Sequence, residues 1–144
     1  MRYESWVEAE SASMPGVRYA VERMSFGRRL DLMRQLQEWM SRLEFVKAGP
    51  EGPGQQAEAA LLAGEIERIY LRWGLRWVRG LEIDGEEATV EGLIEKGPEV
   101  LVEEAAAAIR RQAGLSGEER KNCESPSIFS AGARPDGSAT TAGV

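Results

Sequence analysis

Four arginines and two tryptophans crowd into one short stretch: Arg68, Arg72, Trp73, Arg76, Trp77 and Arg79. On a helix, these arginines recur at spacings of four, four and three and form one basic stripe. Trp73 and Trp77 then lie on a neighbouring face. Interleaved guanidinium and indole groups can bind nucleic acid, with phosphate held by charge and bases stacked on rings. Tryptophan and arginine are also the residue types enriched at protein-interface hot spots. In the plainer case the indoles are core and the arginines are their flanks. A second concentration is acidic. Residues 80–104 carry Glu82, Asp84, Glu86, Glu87, Glu91, Glu95, Glu99, Glu103 and Glu104 against one base, Lys96, a local net of 1 − 9 = −8. Such a run is a docking surface for a basic partner, a solvated face, or an internal complement to the arginines.

Other chemistry is poorly supplied. The chain has no histidine, which removes the usual general acid/base and the commonest metal ligand. Its one cysteine, Cys123, lies in polar sequence near Pro126, without the electropositive surroundings that activate a thiolate. Asp84, Glu86 and Glu87 around Gly85 do not meet the ligand spacing of a calcium loop. Gly49 to Gly54 is followed by no Lys-Ser or Lys-Thr, so it is not a phosphate-binding loop. Spacing alone does not exclude paired carboxylates for glycoside chemistry, but a small helical domain is a poor scaffold for them. The expectation is a binding protein rather than an enzyme, with no cofactor and no metal. Its candidate contact residues are Trp39, Trp73, Trp77, Arg72, Arg76, Arg79, Glu86 and Glu87.

The formal charge of −6 and pI of about 4.9 argue against a general nucleic-acid binder, which needs a basic face. No apolar run approaches a bilayer span, and Met1 to Trp6 lack a signal-peptide core. A lone cysteine forms no internal disulfide. Together these predict a cytosolic protein, or part of a particle assembled in the cytosol.

The elements that must position these residues can be read from periodicity. Residues 1–15 look like a flexible, irregular arm ending at the turn signal Pro15-Gly16. Val17, Tyr19 and Val21 alternate with polar or small residues and predict a short strand. Ser25 is an N-cap candidate for a long helix over residues 26–48. Leu30, Met33, Leu36, Met40 and Leu43 form its expected core face. The segment Gly49-Pro50-Glu51-Gly52-Pro53-Gly54 ends it. A second helix is expected from about Gln55 to Val78, with Gly74 as a possible bend or end, so that two long helices form an antiparallel pair. Asp84-Gly85 predicts a small β-turn or hairpin near 81–88. Thr89 caps a short helix to Lys96, and Gly97 is expected as its left-handed stop. A last helix is expected from Pro98 to about Ala113, ended by Gly114. Residues 123–144 are Ser-, Gly-, Ala- and Thr-rich, which predicts a flexible low-complexity tail. The fold class is therefore mainly α: a helical domain over 16–122 with a short strand, a small hairpin and a disordered tail.

The run Val17-Arg18-Tyr19-Ala20-Val21-Glu22-Arg23-Met24-Ser25-Phe26-Gly27-Arg28-Arg29 leads a strand into a Ser-Phe-Gly-Arg-Arg helix start. Trp73-Gly74-Leu75-Arg76-Trp77-Val78-Arg79-Gly80-Leu81 and Ile83-Asp84-Gly85-Glu86 follow. Over residues 16–113 this order of segments resembles the tail assembly chaperones encoded in tail-morphogenesis regions of tailed bacteriophages and prophages. The resemblance implies a mostly helical, non-enzymatic protein of the host cytoplasm. It implies binding to the tape measure protein, and in some cases the tail tube subunit, while the tube is built. A permanent virion component (neck, completion or tail-tip protein) is the alternative, and a small nucleic-acid-binding regulator a further one. Homo-oligomers are compatible with all three.

Overall fold

The computed structural model describes residues 1–114. The expected tail over 123–144 lies outside them. The elements run β1 (Trp6–Glu10), β2 (Arg18–Glu22), α1 (Phe26–Lys47), α2 (Pro53–Gly74), β3 (Leu75–Arg79), β4 (Glu82–Ile83), β5 (Glu86–Glu87), α3 (Val90–Lys96) and α4 (Glu99–Ala113). The fold is mainly helical, as expected. It has two parts: a head, in which α4 packs on a three-stranded sheet, and a helical hairpin made of α1 and α2. No helix of the described residues is long and apolar enough to cross a membrane.

Local signals place most helix ends. Ser25 is extended and its Oγ accepts from the Arg28 amide at 3.3 Å, starting α1. At the far end Gln55 Nε2 donates to the Val46 carbonyl at 3.2 Å beside the Gly49 amide, tying the start of α2 to the end of α1. Thr89 Oγ1 accepts from Gly92 N at 2.9 Å and starts α3. Asp84 and Gly85, at φ 54° and 85°, make the tight turn between β4 and β5. Gly114, at φ 72°, stops α4.

Four expectations need correction. Residues 1–15 contain a strand rather than an irregular arm. Val7 pairs with Val21 and Ala9 with Tyr19, turning one face of β1 to the core. The alternation was present in Trp6-Val7-Glu8-Ala9-Glu10, but it forms a strand only because β2 supplies the partner. The second helix ends at Gly74, not Val78. A Cβ at Gly74 would lie 2.5 Å from Ile109 Cγ2, so the bare backbone lets α4 approach. The chain then turns extended at Leu75 (φ −93°, ψ 118°) and pairs with β2 from Leu75 to Arg79, with a bulge between Ala20 and Val21. Gly97 is not left-handed; its φ is −80°. Glycine is needed there for space, since a Cβ would meet Leu93 Cδ1 at 2.5 Å and Leu93 O at 2.7 Å.

The fourth correction concerns α1. Its expected core face divides. Leu32 and Leu36 are buried, and Trp39, Met40 and Leu43 are partly so, while Leu30 and Met33 are 44% and 57% exposed. The apolar arc of α1 is wider than one neighbour can cover, and α2 is its one extensive neighbour. In the head, by contrast, Tyr19, Val21, Tyr70, Leu71, Leu93, Leu101, Ala105 and Ile109 are buried together.

Candidate functional site

The structure distributes the predicted contact residues over several places. Trp73 is a core residue at the base of the hairpin, 7% exposed. Its Nε1 donates to the Arg28 carbonyl at 3.2 Å, and the Arg28 guanidinium lies 4.5 Å from the ring centroid and donates to the Trp73 carbonyl. This reciprocal pair ties the start of α1 to the end of α2. Trp39 stands apart on α1, half-buried, with the Arg42 guanidinium 5.0 Å from its ring. Arg42 also reaches Glu38 at 2.9 Å.

Trp77, Arg76 and Arg79 do meet, on β3 rather than on a helix. Trp77 packs edge-on against Trp6 of β1, with centroids 6.0 Å apart and planes at 70°. Both rings flank Ala20 of β2, which is fully buried although it points to the sheet's outer face. Arg79 lies 4.0 Å over Trp77, and Arg76 lies 5.5 Å over Trp6 while reaching Glu22 at 3.3 Å. Arg18 of β2 bonds Glu8 at 2.6 Å, which raises the arginine's pKa further above its already high ordinary value. On this outer face the indoles flank Ala20, Arg79 and Arg76 cover the indoles, and Glu22 holds Arg76.

The basic stripe is therefore broken at Gly74. Its helical half turns to α3. Arg72 donates to both oxygens of Glu91 at 2.8 and 3.1 Å, and Arg68 lies 3.2 Å from Glu95. The hydrogen bond from Arg72 holds the Glu91 carboxyl below its ordinary pKa. Much of the acidic segment is thus an internal complement to these arginines. Glu86 and Glu87 stay exposed on β5, away from the tryptophans. They line a shallow depression with Ile83, Asp84 and Lys96, and the described residues hold no group of three or more carboxylates, cysteines or histidines placed to bind a metal.

Glu104 was not singled out by the sequence. On α4 it accepts from Ser11 Oγ (2.8 Å), Ala12 N (2.9 Å), Ser13 N (3.1 Å), Ser13 Oγ and Tyr19 Oη (3.1 Å). Burial works to raise its carboxyl, but these donors outweigh that and hold it down at about 2. Burial, with the adjacent Glu104 charge, pushes the Tyr19 phenol up to about 12. The arrangement clamps the β1–β2 loop to α4. It is a structural lock, since every donor is already committed to the carboxylate.

The unsatisfied surface lies on the hairpin. Phe26, Leu30, Met33 and Phe45 of α1 and Leu61 of α2 are all exposed, Phe26 by 83% and Leu61 by 71%. Phe26, Leu30 and Met33 follow the i, i+4, i+7 spacing of a single helix face. Their stripe borders the buried seam and carries no aromatic or guanidinium cover comparable to that on the sheet. The one sequence signal for it was the excess width of the apolar arc on α1. No family model matches the chain, and no curated protein or solved structure matches it either.

Proposed function

We propose that this chain is a non-enzymatic binding protein that shelters an apolar helix of a partner, as an assembly chaperone does, with the outer face of α1 as its contact surface. The observation that carries this reading is the placement of Phe26, Leu30 and Met33, exposed in one line on a helix whose other side is already packed. Burying a side chain of this size is worth about 1.5–3 kcal/mol, so three together can hold a partner without any catalytic group. Recognition of an amphipathic helix through such anchors is a recurring binding mode. Methionine adapts its shape to varied partners, which suits a chaperone meeting a repetitive helical client. Given the resemblance to tail assembly chaperones, the partner proposed is the tape measure protein, with the tail tube subunit as a second client.

Co-expression with a phage tape measure protein tests the reading. The expected result is that the tape measure stays soluble with the wild-type chain and precipitates with the Leu30→Glu/Met33→Glu variant. A tape measure equally insoluble with and without the wild-type chain sinks the proposal.

A further inference from the structure

The apolar stripe on α1 has a basic border. Arg29 and Arg34 follow its members by one to three positions and flank it on the two sides, and Arg23 precedes the helix cap. Among the described residues Arg23 and Arg29 have no ion-pair partner. Arg34 reaches only Asp31, 3.1 Å away in an exposed pair, and such pairs are weak. The first turn of α1 carries Arg28 and Arg29 and no acidic residue. Arg28 is turned to the Trp73 ring and carbonyl at the end of α2, which leaves Arg29 as the exposed charge of that turn. The charge is not surplus of the whole molecule, which is acidic. Elsewhere, Arg18, Arg42, Arg68, Arg72, Arg76 and Arg110 each face a carboxylate; Arg79, which also lacks one, lies instead over the Trp77 ring, and Arg111 sits in the last turn of α4, where the helix dipole favours a cation.

From this pattern we infer that the helix taken up by α1 is acidic at its flanks: apolar at i, i+3 or i+4 and i+7, with Glu or Asp bordering that line where it meets Arg29 and Arg34. The inference rests on α1 being the docking face and adds the charge of the partner to it. Phe26 to Met33 spans about 10 Å of helix axis, so two turns of the partner fill the stripe. The carboxylates give Arg29 the ion pair it lacks and add to the weak exposed pair that Arg34 makes with Asp31. A basic partner helix meets like charge on both sides and is rejected.

Fluorescence anisotropy with the full chain and three labelled helical peptides tests this. The peptides share one Leu/Ile line and carry Glu, Gln or Lys at the flanking positions. The Glu-flanked peptide is expected to bind about tenfold tighter than the Lys-flanked one at low salt, with the gap closing as salt rises. Arg29→Glu/Arg34→Glu should reverse that order, and Leu30→Glu/Met33→Glu should abolish binding of all three. Equal affinity for Glu- and Lys-flanked peptides, lost with Leu30→Glu/Met33→Glu, overturns the charge inference and leaves the docking face intact. Glu-flanked binding that survives Leu30→Glu/Met33→Glu overturns both, as does failure of every peptide to bind.

Discussion

The outer face of the sheet and the outer face of α1 are built from similar residues and reach opposite ends. On the sheet, Trp6 and Trp77 cover Ala20, and Arg76 and Arg79 lie over the rings. On α1, Phe26, Leu30 and Met33 are uncovered and Arg29 has no carboxylate. The difference is one of neighbours. A three-stranded sheet brings side chains from three strands side by side, so aromatic and charged groups complete one another across strands. A helix in a two-helix hairpin has one neighbour and leaves half its surface to solvent or to a partner. Similar composition therefore contributes to stability in one place and is available for binding in the other.

The contrast can be broken or sharpened by mutation. The largest stability effect is expected in the head. Leu101→Ala removes a side chain with 0% exposure and should cost about 2–5 kcal/mol in urea unfolding. A loss under about 1 kcal/mol would mean that the head is loosely packed. Trp77→Ala uncovers Ala20 and takes the ring from beneath Arg79; a loss of about 2 kcal/mol is expected from the lost aromatic burial and pair, with partner binding unchanged. If binding disappears while stability holds, the sheet face is the contact surface after all.

Glu104→Gln should cost about 1–3 kcal/mol at neutral pH by weakening a charged acceptor with several donors. The pH dependence has a definite sign. The Glu104 carboxyl is held at about 2 against an ordinary 4.5. Its contribution is present above the ordinary value and is lost as pH falls toward 2. Between these limits the wild type should lose more stability than Glu104→Gln, a difference read from acid unfolding curves. Parallel curves would remove Glu104 from the clamp. The smallest stability effect belongs to Phe26→Ser and Met33→Ser. Each should change stability by no more than about 0.5 kcal/mol and yet weaken partner binding. A large stability loss would show that the stripe is part of the core.

Much of the helical framework was legible because its signals are local. Ser25 and Thr89 cap the helices that follow them, and the Asp84-Gly85 turn needs positive φ wherever it occurs. The candidate site was less legible. Trp73 and Trp77 read as neighbours on one helix, yet one is core and the other lies on a strand. Nothing in Leu75-Arg76-Trp77-Val78-Arg79 forbids a helix. Pairing with β2 and the approach of Ile109 to Gly74 overrule that propensity.

By itself the sequence determined the starts of α1 and α3, the stop at Gly114, the tight turn and the lack of histidine chemistry, because each depends on residue type or on spacing within a few positions. Tertiary structure decided which arginines are satisfied and which apolar residues stay outside. Those outcomes depend on how many neighbours each face acquires. For α1 that number is one extensive neighbour, which leaves Phe26, Leu30 and Met33 facing outward.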